Sequence, residues 1–393
     1  MKAVVLAAGK GTRNYPLTLT MSKGMLPIAN RPLLAWTCES LDFCDEIILV
    51  VNKSQHDIID YFSASEKVRF VYQDRQLGTG HALLQAEKYM DGAFLVVNGD
   101  DIYGKDGVKD FAKQPVPALT YFITDRPESF GIITIEGGAV ASIEEKSGQP
   151  ASNFASCGLY LFDERIFAAL KNLKVSPRGE YELTDAIRML ISEGVNIRAH
   201  NIKDWVPLPY SWNILDANKH LLDACGSMIH PDAVIRPGAV IEEPVAIDAG
   251  SVIGPNCFIR KHSSIGKNCK IGQAVEIKNS IVMDNSFVSH LSYVGDTIVG
   301  RNCNIAAGTI FANLRLDEKN VKVEVNEMRV DSGRRKLGAI IGDGVKFGTR
   351  VTVMPGKRIW PNLLIPACMT IEDDVKSELP LSKYSQNQRN GEK

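Results

Sequence analysis

The chain has 393 residues, with 45 Lys and Arg against 46 Asp and Glu, which gives a net charge of −1 at pH 7. This length is enough for about two or three domains. The balanced charge gives no electrostatic reason to expect nucleic acid or an anionic membrane surface as a partner, so small molecules are the expected partners.

Targeting signals and cysteine patterns add further limits. The apolar run at 4–8 is too short for the core of a signal peptide, and no later run approaches the ~20 apolar residues of a membrane span. We therefore expect a cytoplasmic protein. The eight cysteines include no CxxC pair, so a zinc ribbon or a thioredoxin-type site has no support.

The first half of the chain, up to about residue 222, alternates short β-rich runs with helix-like runs. This alternation predicts βαβ units around a mostly parallel sheet, with ligands at the carboxyl ends of the strands. The runs are KAVVLAA, RPLLAWTCESL, EIILVV, HDIIDYF, VRFVY, GHALLQAEKYM and AFLVVN.

The stretch LAAGKGTR, residues 6–13, follows the first predicted strand directly. One interpretation is a local turn made by Gly9 and Gly11. The other is a phosphate site, because a glycine-rich loop lets backbone N–H groups approach a polyphosphate while a cation neutralises it. A GxG without a third glycine does not decide between them.

The second half repeats every six residues. Isoleucine stands at 229, 235, 241, 247, 253, 259, 265, 271 and 277; after a slip of one residue Val282, Val288 and Val294 follow, and after another Val299, Ile305 and Phe311. The repeat resumes at Ile341 and ends with Ile371. Neither a helix nor an ordinary strand has this period, whereas a left-turning parallel coil with three flat sides does.

Small or slim residues two positions before each isoleucine fit the inner corners of such a coil. They are Ala233, Ala239, Val245, Ser251, Cys257, Ser263, Cys269 and Val275. The repeat lapses between Phe311 and Ile341, where we expect an arm at 312–340. The polar tail 376–393 is expected to be disordered.

LAAGKGTR followed by SKGMLPIANRPLL resembles the signature of sugar-1-phosphate nucleotidylyltransferases. With the six-residue coil, the chain from about 1 to 374 resembles the bifunctional sugar-1-phosphate nucleotidylyltransferase and amino-sugar-1-phosphate N-acetyltransferase family, especially its archaeal members. The resemblance implies an α/β nucleotidyltransferase domain with a Rossmann-like mixed sheet at 1–222. It also implies a left-handed parallel β-helix acetyltransferase domain at 229–375.

The same resemblance assigns a nucleotide site to the first domain. Arg13 and Thr12 would hold the β- and γ-phosphates, and Lys23 would bridge nucleotide and sugar phosphate. Gln73 would read the pyrimidine, although a plain loop and helix start also explains the LGTG that follows it. The implied nucleotide-binding residues are Leu6, Ala7, Ala8, Gly9, Gly11, Thr12, Gln73, Gly78, Thr79 and Gly99.

A metal and a sugar are implied beside that nucleotide. Asp100, at the end of VVNGDD, would bind Mg²⁺ across the phosphates, since hard cations prefer carboxylate oxygens; the alternative is a turn cap. The sequence leaves open whether Glu144 or Glu145 faces the sugar. The implied sugar-binding residues of this domain are Gly131, Glu144, Glu145, Lys146 and Ser156.

Two positions depart from the family pattern. Ser156 in SCGLY replaces an asparagine that often reads a sugar hydroxyl. Pro207 in WVPLPYSW replaces a second metal-binding aspartate, and proline has no side chain able to hold Mg²⁺. Three alternatives follow. Asp204 or Asp216 takes over as the second metal ligand, or Asp100 and the substrate phosphates hold the metal without one. In the third alternative, nucleotidyl transfer is weakened or lost.

A second catalytic site is implied in the coil, where VEIKNSIVMDNSFVSHLSYVGD and CNIAAGTIFANL resemble the family's acetyltransferase site. His290 would act as the general base, because its pKa lies near working pH. The implied sugar-phosphate ligands are Arg260, Lys278, Tyr293 and Asn304. The implied acetyl-CoA residues are Asn313, Lys319, Lys322 and Thr349.

The sequence thus predicts acetyl-CoA-dependent N-acetylation of glucosamine-1-phosphate or galactosamine-1-phosphate, and then transfer of a uridylyl or thymidylyl group from UTP or dTTP. The alternatives are a glucose-1-phosphate nucleotidylyltransferase with a purely structural coil, and a non-catalytic assembly protein of the same layout. Mg²⁺ and acetyl-CoA are the expected cofactor and co-substrate. The resemblance also implies a homotrimer or a dimer of trimers, and no nucleic acid or membrane partner is expected.

Overall fold

The computed structural model describes residues 1–145 and 148–379. They form two compact units. The first unit comprises Met1–Lys10, Ser22–Met25 and Leu33–Pro207. The second unit comprises Gly11–Met21, Leu26–Pro32 and the chain from Leu208 onward. Lys146 and residues 380–393, which include most of the predicted disordered tail, lie outside the described residues.

Among the described residues, thirteen strands and seven α-helices precede the coil. The strands are β1 Lys2–Leu6, β2 Pro27–Ile28, β3 Arg31–Pro32, β4 Glu46–Val51, β5 Val68–Tyr72, β6 Phe94–Asn98, β7 Asp101–Tyr103, β8 Ala118–Ile123, β9 Gly131–Glu136, β10 Ala139–Glu145, β11 Phe154–Phe162, β12 Arg198–Asn201 and β13 Trp205–Pro207. The helices are α1 Leu33–Ser40, α2 His56–Phe62, α3 Thr79–Leu84, α4 Lys105–Phe111, α5 Arg165–Lys171, α6 Leu183–Ser192 and α7 Asn213–Cys225. The seven runs singled out in the sequence correspond to β1, α1, β4, α2, β5, α3 and β6.

A nine-stranded mixed sheet forms the centre of the first unit, in the order β5-β4-β1-β6-β11-β8-β12-β10-β9. Strand β1 pairs in parallel with β4 and β6, whereas β11 runs antiparallel to β6 and β8. Both faces are buried: Val4, Ile48 and Val96 pack on one side, and Val5 and Leu49 pack on the other. Burial on both faces explains why these strands read as continuous apolar runs.

The second unit contains the predicted coil, built of three parallel seven-stranded sheets. Its strands are β14 Met228–Ile229, β15 Val234–Ile235, β16 Val240–Ile241, β17 Ala246–Ile247, β18 Val252–Ile253, β19 Phe258–Ile259, β20 Ser264–Ile265, β21 Lys270–Ile271, β22 Glu276–Lys278, β23 Ile281–Val282, β24 Phe287–Val288, β25 Tyr293–Gly295, β26 Ile298–Val299, β27 Asn304–Ile305, β28 Ile310–Phe311, β29 Lys322–Val325, β30 Met328–Asp331, β31 Ile340–Ile341, β32 Lys346–Phe347, β33 Thr352–Val353, β34 Arg358–Ile359, β35 Leu364–Ile365 and β36 Thr370–Ile371. Each strand except β29 and β30 pairs with the strand three places on in the coil. The predicted parallel β-helix is confirmed.

The six-residue repeat supplies both the core and the corners of this β-helix. The repeated isoleucines from Ile253 onward are buried in one continuous core, together with the thiols of Cys257, Cys269 and Cys303. Asparagines at the outer corners, among them Asn268 and Asn302, have φ of 53° and 56°. Asparagine tolerates this left-handed conformation better than most residues, which explains its recurrence at the corners.

The arm and the two slips of the repeat have clear structural counterparts. Strands β29 and β30 form an antiparallel hairpin, and the coil resumes with β31 stacked in parallel on β26. The slips fall just after β22 and β25, which are three residues long and pair Lys278 with Gly295. Each slip therefore tightens one corner of the coil beside the candidate acetyltransferase residues.

Helix α7 is tied to the coil through the buried amide of Asn218. Its Oδ1 accepts hydrogen bonds from Ser264 Oγ at 2.7 Å and from the backbone N–H of Ala29 at 2.8 Å. Its Nδ2 donates to the carbonyl of His262 at 2.8 Å. One buried side chain thus joins α7, the β2–β3 hairpin and a coil corner within the second unit.

Candidate active sites

The glycine loop begins at the carboxyl end of β1, next to β4 and β6. Its main chain is held there: the Ala7 N–H donates to the Val50 carbonyl at 2.9 Å, and the carbonyl of Ala8 accepts from Gln76 Nε2 at 2.5 Å. A Cβ atom at Gly9 would meet nothing within 4 Å, so Gly9 borders open space. Gly11 has φ of 65°, so both the turn and the phosphate interpretation have a structural basis there.

Gly99 allows the ends of β1 and β6 to approach closely. The Gly99 N–H donates to the carbonyl oxygen of Leu6 at 2.9 Å. A Cβ atom on Gly99 would lie only 3.0 Å from the same oxygen. Asp100 follows directly and is therefore placed at the same edge of the sheet as the glycine loop. Parallel sheets bind ligands at this edge.

Lys23 and Asp100 meet in the first unit. The ammonium nitrogen of Lys23 lies 2.7 Å from Asp100 Oδ2, and the Lys23 side chain is 10% exposed. The turn that carries Lys23 is held by Ser22, whose backbone N–H and hydroxyl both donate to the carboxylate of Asp57, at 2.7 and 2.6 Å. Sequence reasoning missed Asp57, whose position in the first turn of α2 gave no signal of this role.

Thr12 and Arg13 belong to the second compact unit. Thr12 is exposed and Arg13 is half-buried, and both lie in a short 3-10 turn that follows Gly11. The Arg13 guanidinium carbon lies 5.9 Å from the centroid of the Tyr210 ring, within the range of a cation–π contact. The Tyr210 ring in turn stacks on Trp212.

The amide of the proposed base-reading segment is buried and hydrogen-bonded within the protein. Gln73 is 3% exposed, and its Nε2 lies 3.0 Å from both the Gly78 carbonyl and His81 Nδ1. Gly78 has φ of 105°, and a Cβ there would lie 2.6 Å from the carbonyl oxygen of Tyr181. Thr79 begins α3, and its hydroxyl accepts from the Leu183 N–H at 3.1 Å.

His81 was not singled out in the sequence, yet it contacts the predicted base-reading amide. Burial lowers the pKa of His81 below its ordinary value of 6.5. The ring is therefore neutral at pH 7, and its Nδ1 can accept a hydrogen from Gln73.

The two glutamates of the candidate sugar segment, Glu144 and Glu145, lie on opposite sides of β10. Glu145 pairs with Gly131 across β9 and β10, and Glu145 Oε2 lies 2.9 Å from where a Gly131 Cβ would stand. Glu144 points to the opposite side of the strand and is exposed. Arg178 NH1 lies 3.4 Å from Glu145 Oε1. Ser156 is half-buried, with its hydroxyl 3.5 Å from that of Tyr160.

Pro207 lies beside the candidate metal ligand. Strand β13 pairs Pro207 with Asp101, the residue after Asp100. Asp204 lies at the far end of the same pairing, where its carbonyl accepts from the Gly104 N–H at 2.8 Å. Asp216 forms an ion pair with Arg334 in the second unit.

The donors around Asp100 fit a magnesium ion that is shared with substrate. Among the described residues, no group of three or more His, Cys, Asp or Glu side chains is arranged to hold a metal. Mg²⁺ is commonly bound by one or two carboxylates plus substrate phosphates, with water completing the octahedron. The chemistry of a single carboxylate at a phosphate-binding edge is compatible with that mode.

Three of the candidate acetyltransferase residues converge on one face of the β-helix. Tyr293 in β25 accepts a hydrogen bond at 3.1 Å from Nδ2 of Asn313, which follows β28. Lys278 ends β22 on the same sheet, and its Nζ lies 3.5 Å from Asp296 Oδ2. Arg260, after β19, lies 3.3 Å from Glu276. The stacking of coils explains why residues 15 to 20 positions apart in sequence become neighbours.

His290 occupies the corner between the second and third sheets and is exposed. Its Nδ1 lies 3.3 Å from the backbone N–H of Gln273. A Cβ at Gly272 would lie 3.2 Å from that nitrogen, so the glycine leaves room for the ring. The contact favours the tautomer with the proton on Nε2, so a base acting through Nε2 must first exchange tautomers or rotate its ring.

The remaining candidate residues lie on the surface of the coil and its arm. Asn304 is exposed in β27, on the strand that pairs with β24 just before the His290 corner. Lys319 and Lys322 are exposed on the arm, and Thr349 is exposed at the corner after β32. The structure therefore joins Tyr293 directly to Asn313, connects Asn313 to Lys278 through the carboxylate of Asp296, and leaves the arm lysines facing solvent.

An α/β domain with a Lys–Asp pair at the carboxyl edge of its sheet, followed by a parallel β-helix with its own polar cluster, is the layout of a two-domain transferase. The nucleotidyl transferase family model matches residues 2–223, and the model of the GMPPB C-terminal domain matches 241–369. The chain belongs to the family of bifunctional GlmU proteins.

Full-length relatives support that assignment. The bifunctional protein GlmU of Methanocaldococcus jannaschii is 39% identical over 96% of both chains. The bifunctional sugar-1-phosphate nucleotidylyltransferase/acetyltransferase of Sulfurisphaera tokodaii is 36% identical over 91% of this chain and 94% of its own. A solved structure of a putative glucose-1-phosphate thymidylyltransferase from Bacillus anthracis is 28% identical, with a TM-score of 0.51 over 56% of this chain and 94% of that one. No helix among the described residues is long and apolar enough to span a membrane.

Proposed function

We propose that the second unit N-acetylates an amino-sugar-1-phosphate with acetyl-CoA, and that the first unit's edge site transfers a uridylyl or thymidylyl group to the product. Glucosamine-1-phosphate is the preferred acceptor and galactosamine-1-phosphate the second. The observation that carries the proposal is that each unit holds its own polar cluster: Lys23 with Asp100 in the first, and Lys278, Tyr293 and Asn313 around one carboxylate in the second.

In nucleotidyl transfer, a phosphate oxygen of the sugar-1-phosphate attacks the α-phosphorus of UTP or dTTP. A new P–O bond forms, the α–β bridging bond breaks, and pyrophosphate leaves. Lys23 neutralises phosphate charge at the edge of the sheet, and the backbone N–H groups around Gly9 approach the triphosphate. Mg²⁺, held by Asp100 and the substrate phosphates, would supply further neutralisation of the phosphate charge.

In acetyl transfer, the sugar amine attacks the thioester carbonyl. A C–N bond forms, the C–S bond breaks and coenzyme A leaves as its thiolate, and His290 accepts a proton from the amine that is then returned to the thiolate. Lys278 and Arg260 hold the sugar phosphate, because two cations on one face of the coil complement its charge. Asn313 and Tyr293 orient the reacting groups, while the arm lysines Lys319 and Lys322 and Thr349 contact the acetyl donor.

A homotrimer, alone or as a dimer of trimers, fits the exposed apolar residues near His290. Leu291 is 70% exposed, and Phe287 and Ile310 on the same coil are 39% and 37% exposed. A second copy that covered Leu291 would bring its own surface beside His290. Light scattering should report a trimer for the wild type and a smaller species for Leu291→Glu, with loss of acetyl transfer.

The decisive experiment incubates the protein with Mg²⁺, a panel of sugar-1-phosphates, UTP, dTTP and acetyl-CoA, and separates the products by mass. We expect both an N-acetylated sugar phosphate and a nucleotide sugar. A nucleotide sugar without any acetylated product would instead favour a nucleotidylyltransferase with a structural coil.

His290→Ala should lower acetyl transfer about 10²- to 10⁴-fold, the usual contribution of a general base, and leave nucleotidyl transfer intact. His230→Ala is the matched control, since His230 is also an exposed histidine on a coil. Full acetyl transfer by His290→Ala would show that His290 is not the base.

A further inference from the structure

A buried carboxylate lies at the centre of the candidate acetyltransferase cluster. Asp296 is 4% exposed. Its Oδ2 lies 2.6 Å from Asn313 Nδ2 and 3.5 Å from Lys278 Nζ. Its Oδ1 lies 2.7 Å from Asn279 Nδ2 and 3.8 Å from a terminal guanidinium nitrogen of Arg334. Both oxygens are thus surrounded by donors, which is the condition for keeping a buried carboxylate charged.

The backbone fixes where this carboxylate points. Asp296 follows β25 at one of the tightened corners and has φ of 48°, in the left-handed region. Its N–H donates to the Lys278 carbonyl at 2.8 Å, and its carbonyl accepts from the Gly338 N–H at 2.8 Å. The main chain is therefore bonded to the coil on either side, and the side chain has little freedom to turn away.

Asp296 also fixes the orientation of the Asn313 amide. An ionised carboxylate only accepts hydrogen bonds, so the amide must present its nitrogen to Asp296. The second N–H of that nitrogen reaches the Tyr293 hydroxyl oxygen at 3.1 Å. Because both amide hydrogens are committed, the amide oxygen is the part of Asn313 that can accept a hydrogen from substrate.

We propose that Asp296 is a positioning residue for acetyl transfer, which sets Asn313 as a hydrogen-bond acceptor and holds the Lys278 ammonium group in place for the sugar phosphate. The inference rests on the proposed acetyltransferase function of this cluster. It assigns a role to a residue that touches neither substrate and acts through two residues that do.

The charge of Asp296 agrees with this role. Burial, and then the nearby Asp296 charge, raise the pKa of the Tyr293 hydroxyl, while the Asn313 contact lowers it. The hydroxyl therefore stays protonated at neutral pH and can donate to a bound substrate while it accepts from Asn313. Arg334, on the segment that closes the arm, pairs with Asp216 of α7 and shields the other side of the carboxylate.

The test replaces Asp296 by Asn, which keeps the shape and removes the charge. We expect kcat for acetyl transfer to fall about 10- to 100-fold, because misplacing substrate-contacting groups by a fraction of an ångström has effects of this size. Calorimetry should show that the Kd for glucosamine-1-phosphate rises several-fold, because Lys278 loses its anchor. Nucleotidyl transfer should be unchanged.

Asp374→Asn is the matched control. Asp374 is a largely buried carboxylate of the same β-helix, and its Oδ2 lies 2.7 Å from an Arg358 guanidinium nitrogen. It should leave both acetyl kcat and sugar-phosphate Kd at the wild-type values. If Asp296→Asn does not fold, Asp296→Glu keeps the charge on a longer side chain and should still lower acetyl kcat.

Two results would overturn the proposal. One is an unchanged kcat and Kd in folded Asp296→Asn. The other is equal losses in Asp296→Asn and Asp374→Asn, which would show only a general role in stability. Absence of acetyl transfer in the wild type would instead refute the proposed function, and the Kd comparison would still decide whether Asp296 positions Lys278.

Discussion

The ammonium nitrogen of Lys23 lies 2.7 Å from a carboxylate oxygen of Asp100, although the two residues are 77 positions apart in sequence. Lys23 is largely buried and Asp100 is partly exposed. A triphosphate with Mg²⁺ would offer each of them a new partner, the phosphate oxygens for Lys23 and the metal for Asp100. The pair therefore keeps both charges compensated at the edge where substrate is expected.

Replacing Asp100 by Asn tests the metal assignment. The variant removes the charge that binds Mg²⁺ and keeps the side-chain size, so we expect pyrophosphate release to fall about 10²- to 10³-fold, typical of losing a preorganised electrostatic contact. A coupled pyrophosphate assay over a range of Mg²⁺ concentrations measures this. Asp74→Asn, in an exposed pair with Lys53, is the control. Unchanged turnover in Asp100→Asn would remove the metal assignment.

The orientation of Gln73 predicts which bases are accepted. Its amide nitrogen is engaged by Gly78 and His81, so Oε1 is left to accept a hydrogen. N3 of uracil and thymine carries a hydrogen, whereas N3 of cytosine does not. We expect kcat/KM for UTP and dTTP to exceed that for CTP by about ten- to a hundredfold, the cost of leaving one buried polar group unpaired.

The pH dependence of this discrimination follows from His81. Burial lowers the pKa of His81 below 6.5, so its ring is neutral at pH 7 and above. The ratio of kcat/KM for UTP to that for CTP should therefore be constant at pH 7 and above. At lower pH the ring is protonated, Nδ1 becomes a donor, and the Gln73 amide loses its partner. Discrimination should then weaken, whereas His81→Ala should show weak discrimination at every pH. A wild-type ratio that changed between pH 8 and pH 7, or a wild-type ratio at pH 7 in His81→Ala, would contradict this account.

Periodic features were predictable from the sequence, whereas long-range pairings were not. The coil was predicted because a six-residue repeat of isoleucine is a local pattern that only one kind of fold satisfies. The ion pair of Asp216 with Arg334 joins residues that are 118 positions apart, so no local sequence pattern predicts it. The sequence names Asp216 only as one possible metal ligand and gives no sign of its pairing with Arg334.

Site residues follow the same division. The sequence could not choose between Glu144 and Glu145, because the choice depends on the register of β10 against β9, which places Glu145 opposite Gly131. His81 and Asp296 were missed since each acts through another residue. Such roles are visible only when distances are known.

The thiols inside the coil should resist alkylation. Burial raises the pKa of Cys269 and of Cys303 to about 12, so the reactive thiolate is about 10⁻⁴ of the total at pH 8. Iodoacetamide at pH 8 should modify the exposed Cys225 and Cys368 in the folded protein. It should modify the buried Cys269 and Cys303 only after unfolding. Mass spectrometry of peptides provides the measurement. Rapid labelling of Cys269 in the folded protein would contradict the buried-core assignment.

The stability of the coil should depend on its repeated isoleucines. Ile259 is fully buried in the β-helix core, so Ile259→Ala is expected to lower the free energy of unfolding by about 2–5 kcal/mol. Ile235→Ala is the control, because Ile235 is 39% exposed and surface substitutions usually change stability by no more than about 0.5 kcal/mol. Urea unfolding followed by circular dichroism measures both. Equal shifts of the two midpoints would show that Ile259 is not a core residue.

Position 207 offers a gain-of-function test of the metal site. Pro207 pairs with Asp101 across β7 and β13, next to Asp100 in the chain. Pro207→Asp adds a second carboxylate beside the first, and two carboxylates bind a hard divalent cation more tightly than one. The Mg²⁺ concentration that gives half-maximal pyrophosphate release should therefore fall several-fold.

Pro207→Asn separates charge from the loss of the proline ring. It is nearly the same size as Asp and also restores the backbone N–H, but it adds no negative charge. If the metal interpretation is right, Asn should leave the half-maximal Mg²⁺ concentration close to the wild-type value, and only Asp should lower it. The same shift in both variants would mean that the proline ring acts on the local backbone, and that the metal does not depend on a carboxylate at 207.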